Sequence, residues 1–225
     1  MRAELSVVIP TLDAGDALPA CLGALFEGLR AGLIREVIVS DGGSGDGTCA
    51  IAEEAGAVLV TGPPSRGGQV RRGAEAAQGA WLLFLHADTV LPEGWAGAVR
   101  ARMERDGPAA FRLRYDAGGV AARLVAGWAN LRSAVFGLPY GDQALLVSRR
   151  DYAAVDGHPD IPLMEDVALA RALKGRIALL PLSVTTSAAR YRRDGWLRRG
   201  ARNLWLLARY LGGTDPARLA ARYRQ

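Results

Sequence analysis

The sequence predicts an α/β protein with a mostly parallel central sheet flanked by helices, and two observations lead to this prediction. Short apolar runs alternate with segments of helical apolar spacing through the first 115 residues. Such alternation is typical of right-handed βαβ units. The strand segments are apolar at nearly every position rather than at every second one, so helices are expected to cover both faces of the sheet.

The first 115 residues are predicted to contain five strands and four helices in alternation. The strands fall at residues 4–9, 36–40, 57–60, 81–85 and 110–115. The helices fall at residues 16–29, 46–55, 67–78 and 92–105. Pro10 ends the first strand and the Asp-Gly-Gly sequence at 41–43 ends the second, since these residues favour turns.

The remaining residues follow a less regular pattern. Helices are predicted at 118–135, at 164–174 with Gly175 as its stop signal, at 196–211 and at 216–223. Strands are predicted at 144–148, 177–180 and 183–187. Because no linker, repeat or low-complexity tract interrupts the chain, we expect residues 1–225 to form one domain.

The composition excludes several classes of protein. The chain has 225 residues, of which 50% are hydrophobic and 23% charged, so disorder is not its main state. A signal peptide is not expected from the N-terminal residues, and no apolar run is long enough to predict a membrane span. Cys21 and Cys49 stand far apart, which excludes a disulfide framework and favours a cytoplasmic location.

The net charge is +5, and nearly all of the positive charge is arginine because Lys174 is the only lysine. Arginine binds phosphate through a planar fork of donors, so a basic surface suits nucleic acid, an anionic membrane or a phosphorylated small molecule. A base-composition bias that replaces lysine by arginine also explains much of the count. The placement of particular arginines is therefore more informative than their number.

Three predicted strands end in short segments that are rich in polar residues. They are Pro10, Thr11 and Asp13 after the first strand, Asp41 and the glycine-rich turn after the second, and His86, Ala87 and Asp88 after the fourth. Open parallel sheets bind ligands at these carboxyl ends. His86 and Asp88 can point to the same side, where a carboxylate would hold Mg²⁺ or Mn²⁺ together with diphosphate oxygens. The alternative is that Asp88 caps the following turn.

Three familiar nucleotide and hydrolase signatures are absent from the sequence. The turn after the first strand lacks the GxGxxG pattern of dinucleotide-binding folds. The only lysine is followed by Gly175, so no phosphate-binding Gly-Lys-Ser/Thr loop exists. No strand is followed by a Gly-x-Ser-x-Gly elbow, which disfavours an α/β-hydrolase.

Four sequence blocks resemble the family 2 glycosyltransferases of the GT-A fold in order and spacing. They are PT at 10–11, SDGGSGDGT at 40–48, FLHAD at 84–88 and ED at 165–166. Five blocks resemble a bacterial subfamily associated with radical-SAM and selenium-domain proteins, some of whose members are assigned to arsenosugar biosynthesis. These blocks are RGGQ at 66–69, LHADT at 85–89, PYGDQ at 139–143, PLMEDV at 162–167 and TSAAR at 186–190.

The resemblance implies donor-binding roles for residues of the first half. Pro10, Thr11 and Asp13 would line the nucleotide pocket, and Asp41 would accept a hydrogen bond from a uracil-type base. Arg66 and Arg71 would lie near the nucleotide, and Ala87 would also contact the donor. Asp88 would be the metal ligand of the family's DxD motif, in which His86 replaces the first Asp. Gly42 and Ala14 also depart from the family, where many relatives have Asp and Glu.

The resemblance also implies that Asp166 is the general base that accepts the proton of the attacking hydroxyl. The alternative is that Glu165 and Asp166 merely favour the first turn of their helix. Asp142, Gln143 and Glu165 would bind sugar hydroxyls of the donor or the acceptor, with a plain turn as the alternative for Asp142. His158 would line the acceptor site, or else be a solvent-exposed loop residue.

The last third of the chain carries a basic amphipathic pattern. Seven arginines lie between positions 190 and 209, and Asp194 is the only acid there. One helical face carries the apolar residues Leu197, Ala201, Leu204, Trp205, Ala208 and Leu211. This composition is typical of a helix at a membrane interface. Packing of the same face on the core or on a second subunit, as in a homodimer, is the alternative.

These observations predict an inverting, metal-dependent glycosyltransferase that uses a nucleotide-diphosphate sugar, with UDP as the expected nucleotide. Residues 1–115 would bind the nucleotide, 116–190 the acceptor, a small molecule or a lipid, and 191–225 would form the basic helices. The expected cofactor is Mn²⁺ or Mg²⁺, and the expected location is the cytoplasm or the inner membrane face. A nucleotidyltransferase would need a lysine-bearing glycine-rich loop after the first strand, which is missing. A non-catalytic module that binds membrane or nucleic acid is the other alternative, although no specific nucleic acid partner is expected.

Overall fold

The computed structural model of the chain describes residues 3–173 and 177–223. The strands are β1 (Leu5–Thr11), β2 (Ile34–Asp41), β3 (Val58–Thr61), β4 (Trp81–Phe84), β5 (Thr89–Val90), β6 (Ala109–Tyr115), β7 (Leu145–Ser148) and β8 (Ala178–Thr186). The helices of the first half are α1 (Leu18–Ala24), α2 (Phe26–Arg30), α3 (Thr48–Glu54), α4 (Arg66–Ala76) and α5 (Trp95–Glu104). Those of the second half are α6 (Val120–Phe136), α7 (Arg149–Ala154), α8 (Glu165–Ala172), α9 (Ala189–Asp194), α10 (Trp196–Leu211) and α11 (Pro216–Tyr223).

The strands form one sheet in the order β3-β2-β1-β4-β7-β6-β8-β5. Four neighbouring pairs are parallel, namely β3/β2, β2/β1, β1/β4 and β6/β8. The other three pairs are antiparallel, and two of these involve β7. The predicted α/β class and the flanking helices are confirmed. Strand β7, which lies in the middle of the sheet, runs against both of its neighbours.

Several predicted boundaries differ from the observed ones. The helix predicted at 16–29 is divided at Leu25 into α1 and α2. The two strands predicted at 177–187 are one strand, β8, whose pairing with β6 shifts register between Ala110 and Arg112. The short elements β5, α7 and α9 had no clear periodic signal. The predicted end of the helix at Lys174 and its stop signal at Gly175 lie outside the described residues.

The core lies on both faces of the sheet, which explains why the strands are apolar at successive positions. Val7 and Ile9 of β1 pack in a cluster with residues of α1 and α5 on one face. Val8 points to the other face, where it joins residues of α4 and α8. Because neighbouring side chains of a strand alternate between faces, a sheet covered on both sides needs apolar residues at each position.

The C-terminal helices pack on the beginning of α8. Leu206 and Leu207 of α10 and Leu219 of α11 contact the cluster formed by Leu163 and Val167. The predicted apolar face of α10 is instead exposed. The alternative in which this face packs on the core therefore does not hold. Within the described part of the chain, no helix combines the length and the apolar character needed to cross a membrane.

Candidate active site

A cavity opens where the carboxyl ends of the central strands meet the second half of the chain. His86 and Asp88 line it from the segment after β4, together with Asp142 and Asp166. Arg66, at the start of α4, lies on the same wall. The volume of the cavity, about 160 Å³, is close to the roughly 150 Å³ of a cavity that admits a one-ring molecule.

The antiparallel pairing of β4 with β7 brings Asp142 beside His86. Phe84 at the end of β4 pairs with Leu145 at the start of β7, so the segments that follow β4 and precede β7 lie together. A single 3₁₀ turn at Gly141–Gln143 occupies this position. A Cβ atom on Gly141 would lie 2.4 Å from Nε2 of His86. Only glycine permits this approach of the turn to the imidazole.

Asp142 lines the cavity and has one carboxylate oxygen that lacks a hydrogen-bond partner among the described residues. Its Oδ1 atom is buried and accepts no hydrogen bond from residues 3–173 or 177–223. Burial raises the pKa of Asp142, and the negative charges of Asp166 and Asp88 raise it further, while His86 and Arg132 oppose the shift. A buried acceptor without a donor is costly, so this oxygen is suited to bind a cation or a sugar hydroxyl.

The first turn of α8 places Glu165 and Asp166 in different surroundings, because neighbouring helical positions point about 100° apart. Asp166 lines the cavity, and its Oδ2 atom accepts a hydrogen bond of 2.8 Å from the amide of Gly141. Glu165 is buried, and its Oε2 atom has no hydrogen-bond partner among the described residues. Burial, followed by the charge of Asp166, raises the pKa of Glu165 to about 7.

The raised pKa of Glu165 makes the stability of the chain depend on pH. From pH 4.5, its ordinary pKa, to about 7, the folded chain keeps a proton that the unfolded chain releases, so stability falls as pH rises. We expect the free energy of unfolding of Glu165→Gln to equal that of the wild type near pH 4 and to exceed it by about 3 kcal/mol near pH 8. This value follows because one pKa unit corresponds to about 1.36 kcal/mol. Denaturant unfolding across this range measures the difference. A difference in the free energy of unfolding that stays constant with pH would contradict a raised pKa for buried Glu165.

The loops after β1 and β2 are joined by the carboxylates that the sequence places there. Asp41 is buried, and it accepts hydrogen bonds from the amides of Gly43 and Ser44 and from the hydroxyls of Thr11 and Ser44. Burial is the largest single influence on the pKa of Asp41 and raises it. The hydrogen bonds together outweigh burial, so the pKa is lowered. Asp13 accepts a bond from the amide of Gly45. Asp41 therefore organises the glycine-rich turn, and its contact with a base stays a prediction.

The structure separates the two arginines that the resemblance places near a nucleotide. Arg66 lines the cavity. Arg71 instead points to the surface, where it pairs with Glu75 and with Asp156. Its expected place beside the nucleotide stays a prediction, and its guanidinium is paired with these two carboxylates. Pro10 lines a smaller cavity under His86, and Ala87 is packed in the core between His86 and Asp88.

Two predicted acceptor residues belong to the interior instead. Gln143 is fully buried, and its side-chain oxygen accepts bonds from Arg132 and Ser133 while its amide donates to the carbonyl of Phe111. This corrects its assignment as a sugar ligand, because these bonds occupy both ends of the amide group. His158 is not solvent-exposed but buried against Phe84 and Tyr152. Burial lowers the pKa of His158 to about 3, so it is neutral near pH 7.

The cavity also contains residues that the sequence analysis missed. Arg132 on α6 lies with its guanidinium carbon 3.4 Å from the ring centre of Tyr140, and both line the cavity. Arg190 lies at the rim, on the first turn of α9. The signal for Arg132 was its charge within the otherwise apolar, buried face of a predicted helix. The helical periodicity of apolar residues is interrupted at such a charged residue, and the pattern does not indicate what the side chain contacts.

The side chains in the cavity fit a divalent metal held jointly with a substrate. Among the described residues, no group of three or more His, Cys, Asp or Glu side chains could hold an ion by itself. Asp88 and the unpartnered oxygen of Asp142 are hard oxygen donors that suit Mn²⁺ or Mg²⁺. Diphosphate oxygens would have to supply the other ligands.

Comparisons with solved structures show the same fold in several glycosyltransferases. Glucosyl-3-phosphoglycerate synthase from Mycobacterium tuberculosis, solved in complex with Mn²⁺, UDP and glucosyl-3-phosphoglycerate, superposes with a TM-score of 0.61 at 21% identity over 90% of this chain and 78% of its own. TarS from S. aureus, in complex with UDP, gives 0.61 at 16% identity over 88% and 64%. Mannosyl-3-phosphoglycerate synthase from Rubrobacter xylanophilus gives 0.57 at 17% identity over 90% and 71%. At such identities the likeness concerns the fold, which is the GT-A fold.

Sequence comparisons support the same relationship. The PGL/p-HBAD biosynthesis glycosyltransferases of Mycobacterium bovis and Mycobacterium tuberculosis are 37% identical to this chain over 95 residues, which are 39% of this chain. The match spans 36% of the length of these curated relatives. The family model described as glycosyl transferase family 2 matches residues 6–135, which is more than half of the chain. The chain therefore belongs to glycosyl transferase family 2.

Proposed function

We propose that the chain transfers a sugar from a nucleotide-diphosphate sugar to an acceptor hydroxyl with inversion at the anomeric carbon. The observation that carries this proposal is that His86, Asp88, Asp142 and Asp166, from distant parts of the sequence, line one cavity at the carboxyl end of the sheet. Membership in glycosyl transferase family 2 supports the same reaction class. A core has no need of four titratable side chains around one opening.

Asp166 is the group in this cavity that can take the proton of the acceptor. The amide of Gly141 and that of Val167 each donate to one of its oxygens, which fixes the carboxylate and leaves one acceptor position on each oxygen. As the acceptor oxygen bonds to the anomeric carbon, its proton passes to Asp166 and the bond to the nucleotide diphosphate breaks. The electron pair of that bond leaves with the diphosphate.

The developing charge on the diphosphate must be stabilised on the opposite side of the sugar. Arg66 lies on the cavity wall and can donate to phosphate oxygens. Asp88, with Asp142, would hold Mn²⁺ or Mg²⁺, which supplies positive charge to the leaving group when bound. His86, beside Gly141, would complete the phosphate side of the site. Mn²⁺ and UDP in the structure of glucosyl-3-phosphoglycerate synthase support this choice of metal and nucleotide.

The five further sequence blocks support a narrower assignment within the family. We infer that the chain belongs with the bacterial glycosyltransferases associated with radical-SAM and selenium-domain proteins, which it resembles. Within the single domain that we infer for this chain, residues 1–115 would bind the donor and residues 116–190 would supply Asp142 and Asp166 to the acceptor side. A location in the cytoplasm stays part of this proposal.

A calorimetric screen of nucleotide-diphosphate sugars tests the proposed function. The full chain is titrated with UDP-, GDP- and dTDP-linked sugars in Mn²⁺, in Mg²⁺ and in EDTA. We expect at least one donor to bind, more tightly with a divalent metal than with EDTA. The anomeric configuration of the product, read by NMR, then tests inversion. Release of diphosphate from a nucleoside triphosphate and a sugar phosphate would instead favour a nucleotidyltransferase, and nucleic acid binding with steep salt dependence but no donor binding would favour a binding module.

A further inference from the structure

Two adjacent helices beside the cavity expose an unusually apolar surface. Of the 14 exposed large hydrophobic side chains among the described residues, ten lie on α6 and α10. Six are on α6, namely Val120, Leu124, Trp128, Leu131, Val135 and Phe136, and four are on α10, namely Leu197, Leu204, Trp205 and Leu211. We call these ten residues the apolar face. Single exposed hydrophobic residues are ordinary, whereas a contiguous group of this kind marks an interaction surface.

On each of the two helices the exposed residues form a stripe along the helix axis. On α6, Val120, Leu124, Leu131 and Val135 recur at helical spacing, and Leu124 is 66% exposed. On α10, Leu197, Leu204 and Leu211 are seven residues apart, and Leu197 is 80% exposed. The helices contact each other, since a Cβ atom on Gly200 of α10 would lie 3.8 Å from Val125 of α6. The exposed apolar residues of the two helices therefore lie on either side of the contact between α6 and α10.

We propose that the apolar face docks on the surface of an anionic lipid bilayer. Neither α6 nor α10 contains an Asp or a Glu, and Arg198 and Arg209 of α10 are exposed beside the apolar stripe. Residues 189–223 contain nine arginines and two acids. An apolar stripe bordered by arginine is the composition of a helix that lies in a membrane interface. This proposal does not depend on the proposed catalytic function.

The surroundings of Trp205 also fit an interface between lipid and water. Its ring lies near the guanidinium carbons of Arg209, at 5.8 Å, and of Arg222, at 5.5 Å. Tryptophan is enriched where hydrocarbon meets headgroups, because its ring is apolar and its N–H can reach polar groups. The arginines can direct their aliphatic stems along the apolar face while the guanidinium groups reach lipid phosphates.

Not every arginine of the basic helix is available to lipid. Arg199 is buried and pairs with Asp194 at 2.6 Å. Arg202 pairs with the same carboxylate at 3.2 Å. Asp194 therefore holds two arginines of this helix, Arg199 and Arg202, against the protein. Arg198 and Arg209 are the arginines of α10 that a bilayer would meet.

Docking through this face would set the cavity at the membrane surface. Trp128 and Leu204 belong to the apolar face and also line the cavity. The apolar wall of the cavity is thus continuous with the docking surface. A second copy of the chain is a less suitable occupant, because an isologous contact would bring the arginines of both copies to the same interface.

Co-sedimentation with vesicles tests the proposal without any need for turnover. We expect the full chain to bind vesicles of phosphatidylcholine mixed with phosphatidylglycerol and to bind pure phosphatidylcholine much more weakly. Binding should weaken as salt shortens the Debye length from about 30 Å at 0.01 M to about 3 Å at 1 M. The affinity of the variant Arg198→Gln/Arg209→Gln for the anionic vesicles should fall by about fivefold for each arginine removed.

The apolar contribution is tested by Leu124→Glu/Leu131→Glu, which changes exposed residues of α6 outside the cavity. We expect its vesicle affinity to fall at least about tenfold. Phe26→Glu is the matched control, since Phe26 is 64% exposed on α2, and it should bind like the wild type. Thermal unfolding checks that each variant is folded. Brominated phosphatidylcholine in the anionic vesicles should quench the fluorescence of Trp128 and Trp205. The quenched part of the fluorescence should therefore decrease in Trp128→Phe and in Trp205→Phe.

Three results would overturn the proposal. One is the absence of vesicle binding at low salt. Another is equal loss of binding in Phe26→Glu and in the α6 variant. The third is a homodimer, measured by sedimentation velocity, that Leu124→Glu/Leu131→Glu dissociates while vesicles do not bind the wild type. Donor binding is measured separately by calorimetry, so a failure here is distinguishable from a failure of the proposed function.

Discussion

Replacement of Asp166 by asparagine is expected to lower kcat by about two orders of magnitude or more while the donor affinity changes little. A general base contributes typically about 10²–10⁴-fold, and it acts on the acceptor in the transition state. Asparagine keeps the shape of the side chain and can still accept the hydrogen bond from Gly141. It cannot take a proton. Steady-state kinetics with the donor found in the screen, together with calorimetry, separates the two effects.

Glu165→Gln provides the internal control for this experiment. Glu165 is buried and does not line the large cavity, whereas Asp166 does. We expect Glu165→Gln to retain turnover within a few-fold of the wild type and to differ mainly in the pH dependence of stability. If Glu165→Gln lost turnover and Asp166→Asn retained it, the base would be Glu165. If neither variant changed turnover, the proposed mechanism would be wrong.

Replacement of Asp88 by asparagine is expected to abolish the effect of divalent metal on nucleotide binding. In the wild type, UDP should bind more tightly in Mn²⁺ or Mg²⁺ than in EDTA, because the metal neutralises diphosphate charge. In Asp88→Asn the two affinities should become equal. Turnover should fall by about a hundredfold or more, since metal stabilisation of the leaving group is worth several kcal/mol and each 1.36 kcal/mol is tenfold.

The matched control for Asp88→Asn is Asp156→Asn. Asp156 is an exposed carboxylate that pairs with Arg71 outside the cavity. Its removal should leave both the metal effect and turnover unchanged, which would also show that Arg71 does not act on the nucleotide through this pair. Equal UDP affinity in Mn²⁺ and EDTA for the wild type would contradict the role of Asp88 as a metal ligand.

The regular elements of the first half could be predicted from the sequence because their signals are local. Strand β1 is apolar at successive positions, and α4 begins at a serine whose hydroxyl accepts a bond from the amide of Gly68. The second half was less predictable. The strand β7 has only four residues, and its antiparallel direction comes from pairing with β4 and β6 rather than from its own sequence.

The candidate site shows the same difference between local and long-range information. The sequence placed Asp88 at a strand end and Asp166 in the first turn of a helix, and both line the cavity. It misjudged Gln143 and His158, because burial depends on what packs against a loop. Gln143 bonds to α6 and β6, and His158 packs on Phe84 of β4. A motif states which residue types occur together but does not say which way each side chain points.

The sequence by itself determined the α/β class and the strand ends at which polar residues gather, because periodicity and turn residues act over a few positions. Its motif blocks carried the resemblance to the family. Only the tertiary structure decided that the turn at Gly141 and Asp142 lies beside His86, since this position depends on the direction of β7 and on the space left by Gly141. It also decided which face of α10 is covered. The sequence left open whether Leu197 and Leu204 pack on the core, meet a membrane or meet a second subunit. In the structure α8 and α11 cover Leu206 and Leu207 instead, because the neighbours available for packing come from distant parts of the chain.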